Sequence, residues 1–79
     1  MTLADLLPGH GGIILTVQSE GLLRQRLEDL GFLPGTPIQA QFRAGSGDPT
    51  AYQIRGSLLA LRRSTATHIT IQPLGRSLS

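Results

Sequence analysis

Residues 24–36 read Arg24-Gln25-Arg26-Leu27-Glu28-Asp29-Leu30-Gly31-Phe32-Leu33-Pro34-Gly35-Thr36, and their reading decides the fold. With Leu23 in front, Leu27 and Leu30 complete an i, i+4, i+7 series, the spacing of one apolar stripe on a helix. That spacing predicts a short amphipathic helix with Leu23, Leu27 and Leu30 turned to the core. Gly31 falls where a helix ending needs a residue at positive φ, and glycine takes that conformation at little steric cost. With Gly31 in that place, Leu27 and Phe32 are the two residues that touch in a Schellman ending. Pro34 forbids further helix, and Pro34-Gly35 suits a turn into the next strand. Arg24, Gln25, Glu28 and Asp29 make the exposed side, with Arg24 and Glu28 as an i, i+4 ion pair in the weaker order.

Working outward, a run of 79 residues allows one domain with one small core. No apolar run approaches the roughly 20 residues of a membrane helix, and the first residues lack the basic and apolar regions of a secretory leader. The expected location is the cytoplasm. There is no cysteine, which removes disulfides, iron–sulfur clusters and thiolate metal sites. All seven basic residues are arginine, against five carboxylates. A net charge of +2 is a weak attraction for nucleic acid, though arginine suits planar contacts to carboxylate or phosphate.

Upstream, Thr2-Leu3-Ala4-Asp5 has the form of a capping box and predicts one helical turn over residues 3–7. Ile13 to Gln18 predicts a strand with Ile13, Leu15 and Val17 on one face. Downstream, Pro37 to Arg43 predicts a strand that buries Ile38, Ala40 and Phe42. Residues 44–49 are a loop by composition, in which Asp48 is a turn residue. Tyr52 to Arg62 carries a hairpin signal, with Gly56-Ser57 as a two-residue turn, Ile54 opposite Leu59 and Tyr52 opposite Leu61. That register places Tyr52, Ile54, Leu59 and Leu61 on one face. Ser64 caps a single helical turn through Thr67, and His68 to Gln72 predicts a last strand ended by Pro73. From Gly75 the chain reads as a frayed tail, leaving one domain over residues 1–75 and a tail over 76–79. Five short strands and one helix between the first two predict a mainly β fold, a small SH3-like barrel that closes to make its core.

No chemistry-bearing constellation stands out, so no enzyme and no cofactor are expected. The two imidazoles, His10 and His68, fall at opposite ends of an antiparallel pair of first and last strands. They are candidates for opportunistic metal capture, not a designed site. Small barrels often bind RNA or DNA, and surface arginines such as Arg43, Arg55, Arg62 and Arg63 would serve. Against that, Phe32, Phe42 and Tyr52 are all claimed by the core, so no stacking surface and no nucleic acid are expected.

Arg26 to Thr36 strongly resembles the signature of the FeoA family, the small cytosolic ferrous-iron transport proteins A of bacteria. The resemblance extends to Leu6-Leu7-Pro8-Gly9, to Gly47-Asp48-Pro49, and to Gly56-Ser57-Leu58-Leu59-Ala60-Leu61-Arg62 with Ile69 and Ile71. Ala44-Gly45-Ser46 departs from the proline and bulky apolar residue usual before Gly-Asp-Pro. The resemblance implies an SH3-like barrel and a partner, FeoB, a membrane ferrous-iron transporter with a cytosolic G domain. It implies an accessory protein of ferrous-iron uptake, recruited to the inner membrane by that partner. Arg24, Arg26, Glu28, Phe32 and Leu33 are the contact candidates, supported from within by Leu23, Leu27, Leu30, Gly31, Pro34 and Gly35. A weak homodimer through an open strand edge is a further candidate association.

Overall fold

The computed structural model describes residues 1–76. Five strands, β1 (His10–Val17), β2 (Pro37–Arg43), β3 (Thr50–Ile54), β4 (Ser57–Leu61) and β5 (Ile69–Arg76), form one antiparallel sheet in the order β4-β3-β2-β1-β5. One nine-residue helix, α1 (Gly21–Asp29), joins β1 to β2, and a single helical turn, α2 (Arg63–Ala66), joins β4 to β5. The sheet curls around Ile14, Val17, Ile38, Ala40, Tyr52, Ile54, Ile69 and Ile71. The remaining space is filled by Leu3, Ala4 and Leu6 around an N-terminal 3₁₀ turn, by Ala66 of α2, and by Leu27 and Phe32.

The helix ends as its sequence dictates. Gly31 has φ +105°, its N–H donates to the Glu28 carbonyl at 3.0 Å, and the Phe32 N–H donates to the Leu27 carbonyl at 2.9 Å. These are the two bonds of a Schellman ending. The chain then returns to β1, where the Gly35 N–H donates to the Ile14 carbonyl at 2.7 Å and the Ile14 N–H donates to Thr36 at 3.0 Å. Phe32 is fully buried.

Two bulges correct the expected strand faces. A register irregularity between Ile14 and Thr16 in the β1–β5 ladder buries Ile14 and Val17 and leaves Leu15 exposed. A second, between Ala40 and Phe42 in the β2–β3 ladder, turns Phe42 outward to 57% exposure. A bulge adds one residue to one strand, so strict alternation fails beyond it. The hairpin is also corrected. Arg55 and Gly56, at φ 49° and 81°, form the turn, and Ile54 faces Ser57 while Tyr52 faces Leu59. Two successive positive φ values match the twist of a type I′ connection. The register moves by two residues from the expected one, which keeps every side chain on its expected face.

At the chain's two ends, β5 runs through Pro73, paired with Gly12 beside an irregularity, and on to Arg76. Among the described residues the outer side of β5 pairs only with Met1 and Thr2, at Ile71 and Thr70, and a terminal strand tolerates proline on that side. Gly75 and Arg76 therefore belong to the sheet, and the expected tail beyond them lies outside the described residues. The N-terminal turn covers Leu3–Asp5, shorter than expected. The Asp5 carboxylate accepts from the Thr2 backbone N–H at 3.1 Å and from its hydroxyl at 3.2 Å. Tyr52 spans the core and its hydroxyl donates to the Leu3 carbonyl at 3.3 Å, while burial raises the phenol above its ordinary pKa.

The helix departs most from expectation. Only Leu27 of its nine residues is buried. Leu23 and Leu30, expected in the core, are 42% and 47% exposed. The Schellman turn carries Phe32 into the space that a wider stripe would have filled. The helix thus meets the barrel along a single line.

Truncating Leu27 to Ala is expected to cost about 2–5 kcal/mol, and Leu23→Ala or Leu30→Ala about 0.5 kcal/mol or less. Urea unfolding of the three variants checks the difference, and equal losses would contradict the single-line contact. The hydrogen bonds from Thr2 hold the Asp5 carboxyl below its ordinary value of 3.8. A folded pKa below the unfolded one stabilises above the unfolded value, and that contribution is lost as pH falls through the folded pKa. A carboxyl NMR titration is expected to give an Asp5 midpoint below 3.8, and the stability gap to Asp5→Asn is expected to close on acidification.

Candidate functional site, a helix flank for a partner

At about 100° per residue, the positions around Leu27 sort into two flanks. Leu23, Leu30, Arg26 and Leu22 follow one another on one side, and Arg24 and Glu28 lie on the other. Leu22 is 63% exposed, so three leucines with Arg26 among them form an apolar flank open to solvent. On the far side, Arg24 Nε stands 3.6 Å from Glu28 Oε1, both well exposed. Arg26 is exposed and forms no ion pair among the described residues. An isolated exposed leucine means little, but three on one flank of a helix make a surface that another molecule can cover.

The expected contact residues divide accordingly. Arg24, Arg26 and Glu28 are available. Leu33 is half-buried beside them. Phe32 is not available, because its ring lies in the core with no exposed surface. Leu23 and Leu30 take the opposite correction, from support to surface. Gly31, Pro34 and Gly35 keep their structural roles in the ending and turn. The sequence signal for this exchange was the Schellman pair itself, since a contact between Leu27 and Phe32 leaves a nine-residue helix little further reach into the core.

The other candidates resolve differently. His10 pairs with Arg76 at one end of the β1–β5 ladder, and the His68 carbonyl accepts from the Gln18 N–H at the other. Eight residues of strand separate them by roughly 25 Å. Among the described residues no three of His, Asp and Glu converge on a common point. Arg43, expected on the surface, is half-buried, and its Nη2 donates to the carbonyls of Leu6 at 3.1 Å and Ala4 at 3.4 Å. Nothing local in the sequence announces that long-range tie. Asp48, in the loop between β2 and β3, accepts from the Arg63 N–H at 2.8 Å and so caps α2 in place of Ser64. A groove of about 380 Å³ is lined by Gly11, Gln39, Gln53, Arg55 and Leu74 among others. Among the described residues it is lined by amides and a guanidinium and by no carboxylate or imidazole. For nucleic acid, Phe42 is the one aromatic turned outward among the described residues, since Phe32 and Tyr52 are buried.

The described residues include no helix long and apolar enough to cross a membrane. Residues 1–73 match the family model of the FeoA domain. The chain is 32% identical over 72 residues to a fusion of Fe(2+) transport protein A and the Fe(2+) transporter FeoB from Porphyromonas gingivalis. That match takes in 91% of this chain and 8% of the length of the fusion. The solution structure of FeoA from Chlorobium tepidum is 35% identical, with a TM-score of 0.88 over 94% of this chain and 70% of the other. The zinc-complexed crystal structure of Stenotrophomonas maltophilia FeoA is 26% identical, with a TM-score of 0.82 over 91% of this chain and 89% of the other. That protein is described as a procaryotic SH3 domain protein and a candidate activating factor of bacterial ferrous iron transport. The barrel, the Schellman connector and these likenesses agree: the chain belongs to the FeoA family.

Proposed function

We propose that this chain is a non-enzymatic accessory factor of ferrous-iron uptake that docks on the cytosolic part of a FeoB-type transporter. The observation that carries the reading is the uncovered flank of Leu22, Leu23, Arg26 and Leu30, with the Arg24–Glu28 pair at its rim. The fusion in Porphyromonas gingivalis supports the choice of partner, because it joins a transport protein A and a FeoB transporter in one polypeptide. Joining two modules raises their effective concentration to about millimolar for a short flexible linker, an arrangement of use when the two must meet. In this reading the chain works in the cytoplasm and is held at the inner membrane by its partner.

A folded barrel carrying Leu30→Glu is expected to lose tenfold or more in binding to detergent-solubilised FeoB. Arg24→Glu at the rim is expected to lose less. Biolayer interferometry measures both, with circular dichroism to verify folding. Undiminished binding of a folded Leu30→Glu chain would remove α1 from the interface.

Arg26 gives the reading a finer form. In this form Arg26, exposed at the centre of the flank, enters the G domain and stabilises charge on the transferring phosphoryl group, as an arginine finger does. The expected result is faster GTP hydrolysis by FeoB at saturating concentrations of this chain, lost in Arg26→Ala. Unchanged turnover with bound wild type would remove this role and leave the docking intact.

A further inference from the structure

β4 ends the sheet on one side, and among the described residues its outer edge pairs with no strand. Because Ile54 faces Ser57 across a two-residue turn, the bonds to β3 fall on residues 57, 59 and 61. Leu58 and Ala60 therefore direct their backbone N–H and C=O groups away from β3. Both are exposed, Leu58 to 51%. Edge strands are ordinarily blunted by charge, proline or a bulge. Ser57-Leu58-Leu59-Ala60-Leu61 has no charge and no proline, and its five pairs with β3 run without a bulge.

Charge lies at both ends of this edge. Arg62 and Arg63 follow it, and Arg55 precedes it with its side chain against Gly31 and the groove; all three are exposed. None forms an ion pair among the described residues. Of the three, Arg63 has acidic surroundings, its own N–H being held by Asp48. An antiparallel pair of two β4 strands would set Arg55 of one copy against Arg62 and Arg63 of the other, and like charges so placed repel. The edge thus suits a strand that brings carboxylates to its ends, above all to the end at Arg62.

We propose that β4 accepts an added strand from a partner protein, an extended segment with alternating apolar residues and acidic flanks. Main-chain bonds to Leu58 and Ala60 would hold it, the Leu58 side chain would pack beside it, and the end arginines would set its identity. This surface is separate from the α1 flank and does not rest on docking to the transporter.

The test uses the whole chain and two synthetic peptides, Asp-Asp-Val-Thr-Val-Thr-Val-Asp-Asp and its twin with lysine at the four acidic positions. The acidic peptide is expected to bind at least tenfold more tightly than the twin and to slow hydrogen exchange at the Leu58 and Ala60 amides. Ala60→Pro removes an outward donor without touching the ladder to β3, and Arg62→Glu removes one end charge. Each is expected to weaken binding of the acidic peptide about tenfold, and Arg62→Glu carries the test where the proline variant does not fold. Equal affinity for both peptides, or no protection of the two amides, would overturn the proposal. So would concentration-dependent protection without peptide, which would make the occupant a second copy of the chain.

Discussion

The fold depends on one reversal of the backbone, made where the Phe32 N–H donates to the Leu27 carbonyl and Gly31 supplies the positive φ between them. That bond does two things at once. It satisfies a carbonyl that the helix end would otherwise leave unpaired. It also drives Phe32 into the barrel against Leu27, which fastens the helix to the core. From there Gly35 and Thr36 close onto both polar groups of Ile14, so β2 enters the sheet already aligned with β1. A side chain at Gly31 would have to adopt an unfavourable backbone conformation and would meet the Arg55 Cδ at 3.0 Å. The helix end and the β3–β4 turn are therefore packed against each other at this point.

Much of this was legible in the residues because local and global preferences coincide. Leu27, Gly31, Phe32 and Pro34 each favour the same ending, and the strands were visible in their alternation. Even the hairpin, whose turn lies at Arg55-Gly56 and not at Gly56-Ser57, kept its faces, since a slip of two residues preserves the period of a strand. The errors fall where one added residue breaks that period. Leu15 and Phe42 lie at bulges, and a bulge has no compositional mark in either stretch. Pro73 misled for a related reason, as a terminal strand has a side on which a missing N–H costs nothing.

The surface was less legible than the core. A stripe of leucines predicts which face of a helix is apolar, but not how wide a contact the rest of the chain offers it. That stripe directs Leu23 and Leu30 to the interior, and they lie outside. Arg43, a surface residue by strand pattern, instead reaches carbonyls 37 and 39 residues away. Both errors involve contacts between segments remote in sequence, which no local pattern encodes. The same separation explains the divided chemistry of the arginines. Arg43 completes the packing of the N-terminal turn, whereas Arg26, Arg55 and Arg62 remain exposed.

Fastening a helix along one line has a thermodynamic side. Elements with few buried contacts open locally at a free energy well below that of global unfolding. α1 has one buried residue of nine, so it can fray or tilt while the five-stranded core stays closed. A partner that covers its flank must first restrict that motion, and the entropy so lost is subtracted from the contact energy. Any contact made on that flank is therefore weak for the area it covers. Under the docking proposed above, the looseness of one short helix would favour a complex released as readily as it is made.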